Sequence, residues 1–263
     1  MPERKPRLEG KVAIVTGAGS RGPGVGNGKA AAILFAREGA KVLLVDLYKE
    51  RAQETLDVIQ SEGGVASVFA GAVTSLDDCR AMVKAAVDRY GKLDILHNNV
   101  GIDSPEATVV NMDLADWDRI FEVNVKSIVL TSRAAIPQMI SNGGGAILTV
   151  SSIAALRPRP GHDAYSASKA AVIGITQSMA SSHALDGIRV NCIVPGPVQT
   201  PMVADGMTPA IREGQRLSVA LQTEGTGWDV GWAAVYLASD EARWVTGMAL
   251  LVDGGAHITR RTW

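Results

Sequence analysis

The sequence predicts an α/β protein, a doubly wound parallel sheet with helices on both faces, and three observations carry that expectation. Short apolar runs rich in β-branched residues alternate with stretches of helical length along the whole chain. The first run opens directly into a glycine-rich loop and then an alanine-rich helix. At 263 residues and 46% hydrophobic content the chain can bury one large core, so a single domain over residues 1–263 is expected.

Taken in order, Lys11 to Thr16 (KVAIVT) reads as a buried parallel strand. The loop from Gly17 to Gly28 and the helix Lys29 to Glu38 follow it, a strand, glycine loop and helix N-terminus that present backbone N–H groups and a helix dipole to a diphosphate. Lys41 to Asp46 (KVLLVD) is the second strand, and Asp46 closes it eighteen residues after Gly28. A carboxylate there accepts the ribose hydroxyls of NAD and repels the 2′-phosphate of NADP. Helix (Lys49 to Glu62), strand (Val65 to Ala70), helix (Ser75 to Tyr90) and strand (Leu93 to His97) come next, a pattern of right-handed crossovers. The turn Asn98, Asn99, Val100, Gly101 leaves the carboxyl end of the fourth strand, the edge at which such sheets bind ligands.

A long helix is expected from about Asp113 to Ser141, kinked or ended by Pro137. Asn124 lies in it among Ile120, Phe121, Val123, Val125 and Ile128, where an amide competes with helical bonds, so a partner across a site is the favoured reading over a local bond. The fifth strand (Ala146, Ile147, Leu148, Val150) delivers Ser152 at its end. Tyr165 and Lys169 stand four apart on the next helix, one turn from each other on one face. A phenol has a reference pKa of about 10, and an adjacent ammonium has the sign needed to lower it toward useful basicity. That helix is apolar or small on nearly every face, which calls for a second partner surface, another subunit. Ile188 to Val194 is the sixth strand; residues 202–227, with Met202 and Met207, read as a mobile lid; Thr226 to Ala238 is a helix and Leu250 to Gly255 a last strand and turn.

The composition excludes other classes. A net charge of −1 without like-charge blocks gives no bulk attraction to nucleic acid or an anionic membrane. The charged, proline-broken start MPERKPRLEGK has no apolar segment of a secretory signal, and a cytoplasmic location is the expectation. Cys79 and Cys192 show no metal-ligand spacing and read as small core residues, and the four histidines are scattered, so no metal is expected.

The ordered set VTGAG at Val15, NNVG at Asn98, Asn124, Ser151-Ser152, YSASK at Tyr165, Pro195-Gly196 and VDGG at Val252 resembles the short-chain dehydrogenase/reductases over nearly the whole chain. The resemblance implies a seven-stranded Rossmann-type sheet, a homotetramer, and alcohol–ketone interconversion by hydride transfer with NAD, or NADP. It implies that Tyr165 exchanges the proton, Ser152 holds the reacting oxygen, Lys169 lowers the Tyr165 pKa and binds the ribose, and Asn124 holds a water that links Lys169 to solvent. Gly17, Gly26, Asn27, Gly28, Asp46, Asn98, Asn99 and Gly101 would line the cofactor, and Pro195, Gly196, Val198 and Thr200 would anchor the nicotinamide.

Two departures stand out. The glycine loop is five residues longer than usual, with RGPGV as the insert. Gly26 and Gly28 are matched to the family's later glycines, Gly22 and Gly24 being the alternative, and Arg21 could serve a 2′-phosphate. Ala72 stands where an aspartate is frequent, which leaves the backbone of Val73 to meet adenine. For substrate, Asp103, Ser104, Arg157, Arg159 and His162 are the candidate lining, with Arg157 and Arg159 suited to an anionic or polyhydroxylated molecule, and HITRRTW with Trp263 could reach a neighbour's site. The small-molecule candidates are sugars, cyclic alcohols and hydroxy acids. An NADPH-dependent carbonyl or 3-oxoacyl reductase is the alternative enzyme, and a nucleotide-binding scaffold or redox sensor the alternative outside catalysis.

Overall fold

The computed structural model describes residues 5–201 and 207–259. In chain order the elements are β1 (Val12–Thr16), α1 (Asn27–Arg37), β2 (Lys41–Asp46), α2 (Lys49–Ser61), β3 (Ala66–Ala70), α3 (Leu76–Tyr90), β4 (Ile95–Asn98), α4 (Leu114–Phe121), α5 (Ser127–Ser141), β5 (Gly145–Val150), α6 (Asp163–His183), β6 (Ile188–Pro195), β7 (Val198–Gln199), α7 (Pro209–Ser218), β8 (Gly225–Thr226), α8 (Gly227–Ala238) and β9 (Ala249–Val252). Seven strands form one parallel sheet in the order β3-β2-β1-β4-β5-β6-β9, and β7 pairs with β8 apart from it. Strand order reverses between β1 and β4, which opens a crevice at their carboxyl ends.

Burial on both faces explains why the strands read as continuous apolar runs. One core joins the sheet to α1 and α8 through Ile33, Leu34, Phe35, Val230 and Val235; the other joins it to α3, α5 and α6 through Met82, Ile128, Met139, Val172 and Met179. Both free cysteines are buried, Cys79 and Cys192 alike.

Two sequence expectations, both on helix boundaries, are corrected here. The long helix of 113–141 is two helices joined by a π-helical turn over Glu122–Lys126, and α5 runs through Pro137 to Ser141 rather than ending there. The first helix begins at Asn27, capped by the backbone of Gly26, two residues earlier than its alanines suggest. The segment read as a lid contains a regular helix, α7, with Thr208 accepting from Ile211 N–H at its N-cap. Met202 and Trp263 lie outside the described residues.

Candidate active site

The glycine loop shows why its residue types are needed. A Cβ on Gly28 would overlap Gly17 O and Asn99 Nδ2, so the first turn of α1 lies directly on the end of β1. Gly22 has open space around it, so this close approach falls to Gly28 and not to the inserted glycines. Gly17 turns at φ +63°, a conformation that disfavours side chains. The insert closes on itself, with Gly26 N–H donating to Ser20 Oγ at 3.2 Å, and Gly24 approaches Pro201 across the crevice. No side chain caps α1 and its first turn holds no acid, while the buried Asn27 Oδ1 has no partner. An anion is the natural complement of the uncapped N–H groups at this end, and a hydrogen-bond donor that of Asn27 Oδ1.

From here a cleft of about 610 Å³ runs past Asp46, Val73, Asn99 and Gly101 to Tyr165, Lys169 and Thr200. The Asp46 carboxylate accepts N–H bonds from Gly19 and Tyr48, both at 3.1 Å. Its neighbours include two cations: exposed Arg21, and Arg51, whose guanidinium stacks on Tyr48 at 4.2 Å. Tyr48, Arg51 and, further along, Arg119 were not singled out from sequence. The spacing of Tyr48 and Arg51 directly after the Asp46 strand is the signal that could have found them, since residues three apart meet on a helical turn.

At the far end the polar groups are tightly bound. Asn124 is fully buried in the π turn; its Oδ1 accepts from Ile102 N–H at 2.8 Å, and its Nδ2 donates to Ile102 O at 2.9 Å and Ser168 Oγ at 3.0 Å. Both amide N–H donors are thus used, and a water held by this side chain could bind only through its oxygen. Ser168 Oγ donates to Tyr165 O, and Ser151 Oγ to Lys169 O, each at 2.7 Å. Lys169 Nζ donates to Val150 O at 3.1 Å and lies 5.7 Å from the centre of the Tyr165 ring. A Cβ at Gly101 would press on that Nζ at 3.0 Å, so a side chain there would have to shift the Lys169 ammonium.

The electrostatics differ from the expectation that Lys169 lowers the phenol. Burial pushes Tyr165 up to about 12; the hydrogen bond with Ser152 and the charge of Arg159 act the other way without cancelling it, and Asp103 adds to the rise. Burial brings Lys169 down to about 8, with Cys192 and Asp103 opposing that fall. The phenol therefore holds its proton at neutral pH, because withdrawal from water outweighs the nearby charges. Ser152 Oγ also accepts from Ala154 N–H at 3.2 Å, which starts a short 3-10 turn.

Other expected residues are distributed differently. Pro195 ends β6 beside Val252, and Gly196, whose Cβ would strike Asp253, lines a second cavity of about 510 Å³ together with Val198; among the four nicotinamide anchors named above, Thr200 lines the cleft. Arg157 is turned away from a substrate role, as its guanidinium bonds Ala256 O and ties the loop before α6 to the C-terminal turn. Among the described residues no cluster could hold a metal ion, and no helix is long and apolar enough to cross a membrane.

A crevice at the strand-order reversal, an uncapped helix N-terminus and a Tyr–Lys–Ser group at its far end define a dinucleotide-binding oxidoreductase class. A family model described as enoyl-(acyl carrier protein) reductase matches residues 24–257. The 3-oxoacyl-(acyl-carrier-protein) reductase FabG of Thermotoga maritima is 37% identical over 252 residues, 96% of this chain and 100% of that protein. A crystal structure of a short-chain dehydrogenase/reductase from Burkholderia xenovorans superposes with a TM-score of 0.91 at 38% identity, over 96% of this chain and 98% of that one. A 7α-hydroxysteroid dehydrogenase, complexed with NADH and 7-oxo glycochenodeoxycholic acid, gives 0.89 at 37% identity, over 95% and 96%. The chain belongs to the short-chain dehydrogenase/reductase family.

Proposed function

We propose that the protein interconverts a secondary alcohol and its ketone with a nicotinamide dinucleotide, NAD favoured. The observation that carries this reading is the convergence of Tyr165, Ser152 and Lys169 at one end of a cleft whose other end is an uncapped helix N-terminus. The bare first turn of α1, the unpartnered Asn27 Oδ1 and the cradle beside Gly101 fit such a cofactor. When bound, it would supply or accept the hydride. Gly17, Gly26 and Gly28 would hold the diphosphate, Asp46 the adenosine ribose, the Val73 backbone the adenine, and Asn99, Gly101, Lys169 and Thr200 the nicotinamide half.

Tyr165 moves the proton. As an acid it gives the phenolic proton to the ketone oxygen while Ser152 donates a hydrogen bond to that oxygen as charge develops. In the reverse direction the phenolate takes the alcohol proton. Alcohol oxidation needs the phenolate, so its rate should gain as pH rises. The similarity to a 3-oxoacyl-(acyl-carrier-protein) reductase supports a carbonyl-reducing role as the second reading. The fixed Asp46 carboxylate supports NAD, while Arg21 and Arg51 on the same stretch keep NADP within reach. A homotetramer, the assembly the family resemblance implies, would cover the exposed Leu114 and Val129 beside the stacked Trp117 and Phe121.

The test is nicotinamide absorbance with each cofactor against secondary alcohols and ketones. Tyr165→Phe should lose about 10²- to 10⁴-fold in turnover while cofactor still binds by fluorescence. Near-normal turnover in that variant removes Tyr165 from its role.

A further inference from the structure

Two loops laced to each other, one leaving Ile102 at the cleft and one leading into the first turn of α6 that carries Tyr165, flank the reacting end. Ala107 N–H donates to Gly161 O at 2.7 Å, Val109 N–H donates to Asp163 Oδ2 at 2.9 Å, and Ala107 bridges His162. The lacing gathers Asp103, Arg159 and His162 into one group: His162 Nδ1 stands 3.6 Å from Asp103 Oδ1, and Arg159 rests its guanidinium on the His162 ring. Asp103 and Arg159 are the two full charges that act on Tyr165, one from each loop, so this wall lies within electrostatic reach of the reacting hydroxyl.

Asp103 Oδ1 takes Ser104 N–H at 2.8 Å and the rest of this exposed carboxylate faces water, while the buried Ser104 Oγ has no partner. The wall therefore offers a carboxylate acceptor alongside imidazole, guanidinium and hydroxyl groups able to donate. A hydroxyl, which donates one bond and accepts others, complements such a pair. An alkyl group would strip water from Asp103 and return nothing, and an anion would meet the carboxylate with like charge.

We propose that Asp103, Arg159 and His162 form a recognition site for a second hydroxyl on the carbon beside the reacting one, making the preferred substrates vicinal diols and their α-hydroxyketones. The proposal rests on the alcohol–ketone reading above. Asp103 accepts from the second hydroxyl, and His162 or Arg159 donates to it. None of the three takes part in the chemistry; together they select the molecule that reaches Tyr165.

The experiment compares kcat/KM for cyclohexane-1,2-diol with cyclohexanol, and for 2-hydroxycyclohexanone with cyclohexanone, in the wild type, Asp103→Asn and Asp103→Leu. Wild type should favour the hydroxylated member of each pair by about tenfold or more, and the ratio should collapse toward one in Asp103→Leu. The ratio is the readout, because removing the carboxylate also changes the field at Tyr165. A wild-type ratio near one, or a ratio unmoved by both substitutions, overturns the proposal. Turnover of other secondary alcohols but of no diol overturns it and leaves the wider reading standing; turnover of no secondary alcohol or ketone overturns both.

Discussion

Around Lys169 and Asn124, at the floor of the cleft, polar groups are bonded to one another inside helices and strand ends, whereas around Asp103, Arg159 and Arg21, at its rim, charged groups ride on loops beside water. The floor is where the common chemistry of the family would be performed, and the rim is where one member would differ from the next. A buried network fixes geometry because each unmade bond is costly, while exposed groups can change with little effect on folding.

That contrast can be broken first at the floor. Asn124→Ala leaves Ile102 N–H, Ile102 O and Ser168 Oγ without their partner, and the expected outcome is a loss of about 2 kcal/mol or more in stability with at least a tenfold fall in kcat. Thermal unfolding and steady-state kinetics read the two effects, and a silent variant would mean the network is ornamental. At the rim the effect should be smaller and of another kind. Asp46→Ala should lower the preference for NAD over NADP by about tenfold while kcat with saturating cofactor changes little. Paired titrations with the two cofactors decide it, and unchanged affinities would place the adenosine ribose elsewhere.

The smallest effect concerns an interior polar group that serves no network. His97 is fully buried in β4, edge-on to Phe35, with neither ring nitrogen hydrogen-bonded, and burial brings it down to about 4. Between that value and the ordinary histidine range the unfolded chain binds a proton that the native state refuses, so stability falls as pH drops through this window. His97→Leu should remove this slope and raise the melting temperature by a few degrees, an increment of about 1 kcal/mol. A variant that melts lower at pH 7 would show that the ring makes a contribution its packing alone does not reveal.

The sheet was legible because its strands are buried on both faces and spell themselves as VAIVT or KVLLVD, and the Tyr165–Lys169 spacing was legible because a helix puts residues four apart together. What escaped notice depends on contacts between distant segments. Nothing near Arg157 announces that it will meet Ala256, ninety-nine residues on, and composition cannot show that withdrawal from water will outweigh an ammonium in setting the proton affinity of Tyr165. The division of Gly196 and Val198 from Thr200 between two cavities likewise follows from the pairing of β7 with β8, strands too short to carry a pattern.

The π turn at Glu122–Lys126 acts on the helix as a phase shift acts on a wave. One residue more than an α-turn holds advances all that follows by about 100°. The buried stripe of α5, Ile128, Thr131, Ala135 and Met139, is in step with the core only after that advance. Delete one residue from the turn and the helix could close regularly, but the stripe would then swing out of register with α3 and the sheet. The core downstream thus keeps the irregularity in place, and Asn124 is presented to Ile102 and Ser168 by a deformation maintained from a distance.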